Sequence, residues 1–342
     1  MNDTMQNNTI AKTLSELTLG DPTVFEDLAA FPLQGPQGAV RDYLTLEQAL
    51  SSKTARVTEV SESGSVPELK FVNDGVAPVL LLDGEELVGA KQNRILNLTI
   101  LVPAQSSILI PVSCVERGRW SRRSQEFSAA RRTMYARGRA EKMEHVSAAM
   151  SVGGSRRANQ GAVWESVMDK AACMNVNSST EAMSDIYENR QQKLDEYVKA
   201  FSVADDQRGA VFCLGGRVAG LELFDRPTTF SALMPALVQS YALDAMEGRL
   251  HGGAPEPEAV AEFLSDLGQS VPQRFEALGL GQDLRFRSTT VSGAALEIDD
   301  ELLHLLAFSR HNHGGTGRAE DDTQAPGYRS RVIPFSRRRR GH

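Results

Sequence analysis

Short apolar runs bounded by turn residues dominate residues 25–120. "TARVTEV" (54–60), "PELKFVN" (67–73) and "PVLLLDG" (78–84) are rich in Val, Leu and Phe and are punctuated by Ser, Gly, Asn and Asp, the signature of β-strands. Asp83-Gly84 lies between apolar runs and predicts a tight turn. One segment breaks the β pattern. "DYLTLEQALSS" (42–52) spaces Leu44, Leu46 and Leu50 as a helix does, with Thr45 as N-cap and Gln48 three residues on. Before this region, residues 1–24 are polar and predict a loosely ordered N-terminus, with one amphipathic stretch around Ile10, Leu14 and Leu17.

The pattern changes at 121. "SQEFSAARRTMYARGRAEKMEHVSAAM", "AVWESVMDKAACMNV" and "TEAMSDIYENRQQKLDEYVKAF" predict helices across 121–205, and "GGSRRANQG" (153–161) predicts a loop between them. The section 206–310 is mixed. "GAVFCLGGRVAGLELFD" predicts a hairpin turning at Gly215-Gly216. A helix follows from about Thr229 to Arg249, with Pro227 before it and Gly252-Gly253 after it. "PEAVAEFLSDLG" predicts a shorter helix, and "LRFRSTTVSGAALEID" and "LLHLLAFSR" predict closing strands. Residues 311–342 are rich in Gly, Arg and Asp and predict a disordered basic tail. The fold class is α+β, one continuous domain over 25–310 with an antiparallel β-rich N-terminal layer, a helical middle and a second hairpin-plus-helix section.

One stretch is out of keeping with its surroundings. Taken as a strand, residues 92–102 put Gln92, Arg94, Leu96, Leu98, Ile100 and Val102 on one side. Residues 108–116 put Ile108, Ile110, Val112, Cys114 and Glu116 on one side, and "PAQSS" (103–107) is short enough to join the two as a hairpin. Two registers bring the apolar sets together. One sets Arg94 opposite Glu116, the other Arg94 opposite Cys114. In both, the shared face is apolar at the loop end and polar at the far end. A buried guanidinium needs a carboxylate, with Glu116 the first candidate and Glu85 or Glu86 the second. The cluster reads either as an ion pair closing the end of a sheet or as a pocket for a polar or anionic small molecule, since Arg grips phosphate and carboxylate bidentately. Cys114 on an apolar face is ordinary packing unless a base is near.

Composition narrows the choice. At 342 residues, with 41% hydrophobic and 24% charged, the chain is of globular type. No apolar run reaches the roughly 20 residues that span a bilayer, so no membrane association is expected. The three cysteines, Cys114, Cys173 and Cys213, have neither CxxC nor Cys/His spacing, so no metal site is expected, and free thiols fit a cytoplasmic location. The net charge of −7 is uneven. The tail after residue 309 holds eight arginines against three acids, leaving −12 on the rest. An acidic body is not the footprint of a nucleic-acid-binding domain. The arginines at 117–139 read as a solvated helical face, His304 as a core or sheet histidine, and Trp120 and Trp164 as core or hinge residues.

The runs "YLTLEQAL" (43–50), "VPELKFVN" (66–73), "LLLDGEELVGAKQNR" (80–94), "ILVPAQSSILIPVSCVERGRW" (100–120) and "GRVAGLELFDRPTTF" (216–230) carry a resemblance. The chain resembles a mainly bacterial domain family named for its association with ADP-ribosylglycohydrolase and rhodanese-phosphatase proteins, over about residues 25–310. The resemblance implies a link to ADP-ribose- or NAD-derived metabolites and adds weight to Glu86, Gln92, Arg94, Cys114 and Glu116. The expectation is a protein that binds, and could hydrolyse, a nucleotide-like small molecule. Gln92, Asn93, Arg94 and Cys114 would line the site, with Glu86 or Glu116 as acid/base. The alternative is a non-catalytic adaptor with a protein partner in a bacterial stress or defence system, the cluster serving as a brace. No cofactor is indicated.

Overall fold

A computed structural model of the chain describes residues 8–38, 42–61, 64, 67–248 and 252–310. The expected N-terminal β-rich layer is a closed six-stranded barrel. Its wall runs Ser106–Cys114, Glu68–Asn73, Ala55–Glu59, Glu126–Thr133, Glu85–Gly89, Arg94–Leu96 and back to Ser106–Cys114, antiparallel throughout. Alternation fills it. Ala55, Val57, Leu69, Phe71, Leu87, Leu96, Ile110, Val112 and Phe127 form its core. The long strand Ser106–Cys114 serves two neighbours, its first part pairing with Glu68–Asn73 and its last with Arg94–Leu96.

A second, nine-stranded antiparallel sheet forms the other half. Its middle is the strands Gln207–Leu214, Arg217–Phe224, Glu301–Ser309 and Val291–Ile298. One of its faces packs on helices Ala136–Gly153 and Pro227–Ala245, in a core that continues through Met183 and Ile186 to Ile95 and Val115 on the barrel's outer side. The other face packs on helices Thr9–Ser15 and Pro257–Gly268. The strand Val79–Leu81 shows why its run is unbroken in apolar character. Val79 and Leu81 join the barrel core while Leu80 joins the helix layer, so both faces are buried. The α+β class holds, and the Thr45–Gln48 capping box and the Gly215-Gly216 hairpin form as the sequence predicts.

Four expectations differ from the structure. Residues 92–102 are not one strand. Arg94–Leu96 belongs to the barrel and Ile100–Val102 to a small sheet with Val79–Leu81 and Leu44–Thr45. The break falls at Asn97 and Thr99, whose side chains are held elsewhere, Asn97 by Ser113 and the Arg156 carbonyl, Thr99 by His304 and the Asp83 N–H. "PAQSS" therefore joins two different sheets rather than a hairpin. Within the stretch expected to be helical, Glu126–Thr133 is a strand. Its Ala and Arg residues favour helix, but closing the barrel overrides propensity, with a register shift between Ala129 and Thr133 and Arg131 at φ 57°. Residues 9–15, expected to be loose, form a helix with Ile10 fully buried. The expected tail, 311–342, lies outside the described residues.

Candidate functional site

The register between Arg94–Leu96 and Ser106–Cys114 sets Arg94 opposite Cys114. Arg94 shares the inward side with Leu96 and Leu87, so its guanidinium sits at one end of the barrel's interior. Glu59 reaches the same interior from the opposite wall, on the side of Ala55 and Val57. The apolar face thus ends in a charged one, as the alternation predicts.

Arg94 Nη1 donates to Gln92 Oε1 at 2.9 Å, and Cys114 Sγ donates to the same oxygen at 3.2 Å. Arg94 has no carboxylate partner among the described residues, and its Nε and Nη2 have no hydrogen-bond partner. Glu59 Oε2 is likewise buried without one. Burial lowers the Arg94 pKa, opposed by the nearby Cys114 and Glu59. Above the guanidinium lies Trp120, its ring centroid 5.9 Å from Arg94 Cζ and 5.3 Å from Lys91 Nζ. Trp120 is 50% exposed, so this aromatic face borders solvent.

The expected partners of Arg94 are held by other groups. Glu116 is bound by Arg119, Nε to Oε1 at 2.8 Å and Nη2 to Oε2 at 2.6 Å, and it accepts the Asn93 N–H at 3.1 Å. Burial works against its charge, but these hydrogen bonds outweigh it and hold its pKa below the ordinary carboxylate value. Asn93 completes this unit by accepting from Arg119 Nη2 at 3.1 Å. Glu86 stands opposite Ile95 and so points out of the barrel, where Arg132 Nε donates to it at 2.6 Å. Burial raises its pKa, with Arg132 opposing. Glu85, at the far end of the barrel, accepts the Leu82 N–H, and burial pushes it up to about 8. Gln92, Arg94 and Cys114 therefore meet directly, Asn93 and Glu116 stand beside them in an Arg119 unit, and Glu86 lies apart.

A second charged group escaped the sequence reading. Asp83, Arg139, Lys142, Glu222 and His304 are all buried. Lys142 Nζ donates to Asp83 Oδ2 at 2.7 Å and to the Leu96 and Asn97 carbonyls. Arg139 Nη1 donates to Glu222 Oε1 at 2.6 Å, and its Nε lies 3.6 Å from Asp83 Oδ1. His304 Nε2 is 3.2 Å from Glu222 Oε2. Gly84, at φ 77°, has Arg139 packed so close that a Cβ there would lie 2.9 Å from it. The reading of 117–139 as a solvated face fails at Arg139 and Arg119. A signal existed, because Arg139 and Lys142 are spaced i, i+3 on the same helical stripe as Met143, Val146 and Met150. Glu59 gave no signal beyond its alternation with Val57.

Two clefts, of 290 and 380 Å³, lie elsewhere. Among the described residues no helix is long and apolar enough to cross a membrane, and no group of three or more His, Cys, Asp or Glu could hold a metal ion.

These elements define an α+β protein in which a barrel with one charged end is joined through a helical layer to a large antiparallel sheet. The chain belongs to the ARPP-1 family, the ARG and Rhodanese-Phosphatase-superfamily-associated Protein domain, which matches residues 16–308 and so takes in both halves. The family name links it to ADP-ribosylglycohydrolase-associated proteins. No curated protein and no solved structure matches the chain.

Proposed function

We propose that the protein is a cytoplasmic binder of an ADP-ribose- or NAD-derived small molecule, held at the charged end of the barrel. One observation carries the reading. Arg94 is fully buried and keeps two guanidinium nitrogens without a hydrogen-bond partner among the described residues. Leaving buried donors unpaired costs free energy, and native proteins tolerate few of them. A guanidinium in that state suits the bidentate grip of a phosphate or carboxylate. Barrel ends are common sites for small ligands, and the half-exposed Trp120 ring offers a stacking face for a base. Gln92, with Cys114, orients the guanidinium. Trp120 is the cover that must shift to admit the anion.

Binding is better supported than hydrolysis. Glu116 is saturated by Arg119 and acts as a fixed counter-charge, and Glu86 points to the outer side of the barrel wall. The adaptor alternative draws support from the Arg119–Glu116 pair, which has the geometry of a brace.

Thermal unfolding of wild type and Arg94→Gln with ADP-ribose, NAD and AMP tests the proposal. A ligand at 100 times its Kd adds about 2.7 kcal/mol to the native state. A wild-type midpoint raised by one of these compounds and unmoved in Arg94→Gln supports it. No shift in wild type with any of them sinks it and favours the adaptor.

A further inference from the structure

A second place in the molecule combines open space with buried polar atoms that lack partners. The 290 Å³ cleft lies between helix Ala136–Gly153 and the strands Gln282–Arg287 and Val291–Ile298, with Val271 and Gln273 at its rim. Arg285, Arg287 and Ser292 share one face of those two strands, since Arg287 pairs with Ser292 and Arg285 with Ala294. Asp283 takes Nε and Nη2 of the buried Arg285, at 2.6 and 2.9 Å. That fixes the guanidinium and leaves Nη1 without a hydrogen-bond partner among the described residues. The buried Ser292 Oγ also has none among them. Both residues line the cleft.

Charge and shape point the same way. Glu144, from the helix, is flanked by Arg287 at 3.7 Å and Arg310 at 3.4 Å. With the Arg285–Asp283 pair neutral, the cleft carries a net positive charge. Met143, Ala148 and Val271 supply an apolar wall and rim. A fixed guanidinium N–H and a hydroxyl on one sheet face, at diagonal positions of neighbouring strands, offer two donors to one oxyanion. The apolar side suits a hydrocarbon or aromatic body.

We propose that this cleft is a second ligand site, separate from the barrel end, for a small molecule bearing one oxyanion on an apolar body. Phosphate monoester and carboxylate share the chemistry required. Phenyl phosphate and benzoate are therefore the probes, with inorganic phosphate as the anion lacking a body, each titrated into the full-length protein by calorimetry or ligand-observed NMR. Binding of either aromatic probe, more tightly than inorganic phosphate, is expected, and the preferred probe identifies the anion. Ser292→Ala should weaken it roughly tenfold to a hundredfold, the worth of one hydrogen bond to a charged group, without lowering the melting temperature, because among the described residues that hydroxyl has no partner to lose. Ala148→Phe, at an exposed position on the helix, should fill the cleft and abolish binding. Arg94→Gln should leave it unchanged. The proposal is overturned if neither probe binds, if both cleft variants bind as wild type does, or if Arg94→Gln abolishes the signal. That last outcome would assign the probe to the barrel end.

Discussion

Two buried charged groups stand at either end of the strand Arg94–Leu96, and they are built oppositely. Beyond Leu96, the Asp83–Lys142 and Arg139–Glu222 pairs give every ionised group an opposite partner. At Arg94 the guanidinium is hydrogen-bonded to a neutral amide that also takes a thiol, and among the described residues no carboxylate is bonded to it. Burial is equal in the two places, so burial alone does not separate a brace from a site. Pairing does. A paired buried charge is costly to disturb, whereas an unpaired one already bears its desolvation cost and gains when an anion arrives.

Arg139→Met should be the most damaging of the substitutions. It leaves Glu222 buried with only His304 and removes the second cation near Asp83. A loss of about 3–5 kcal/mol in urea unfolding is expected, and a loss below about 1 kcal/mol would mean the network is no brace. Next comes pH. Glu85 sits at about 8 in the folded protein against 4.5 for the free side chain, so the folded state binds more protons in that window. Its contribution is full below about 4.5 and is lost as pH rises towards 8. Stability should fall there by up to about 1.4 kcal/mol per pH unit. Glu85→Gln should flatten this part of the profile and be the more stable protein at pH 8. Arg94→Met should change stability by less than about 1 kcal/mol, in either direction, because no carboxylate loses a hydrogen-bond partner. A loss like that of Arg139→Met would erase the distinction between the two groups. The smallest effect belongs to Trp120→Ala. At a half-exposed position it should cost about 0.5 kcal/mol or less in melting, yet weaken nucleotide binding roughly tenfold through lost stacking.

Local features were legible in the sequence. The Thr45–Gln48 cap, the Asp83-Gly84 turn and the Gly215-Gly216 hairpin depend on neighbours a few residues apart. Alternation placed Arg94 and Cys114 together on the polar end of a face, because side-chain period in a strand is independent of what the strand later pairs with. The partners were not legible. Glu116 pairs with Arg119 only because the chain turns after Cys114, and a strand pattern carries no account of that turn. Glu59 is brought to the same interior as Arg94 only by closure of the barrel, across many residues of sequence. The strand Glu126–Thr133 was hidden by residues that favour helix. Asp83, Arg139, Glu222 and His304 come from four distant segments, each of which reads alone as a turn, a surface face, an ordinary strand or a core histidine.

Lys142 ties the helix Ala136–Gly153 to the carbonyls of Leu96 and Asn97, where the chain leaves the barrel for the small sheet. Helix, barrel strand and, through Arg139, the large sheet are then fastened at one point. Fraying of the strand Arg94–Leu96 would uncover an ammonium and a carboxylate together, so a partial opening gains little over a complete one. Backbone amides in the barrel and in the central strands of the large sheet should therefore exchange with solvent at a common slow rate, as parts of one cooperative unit.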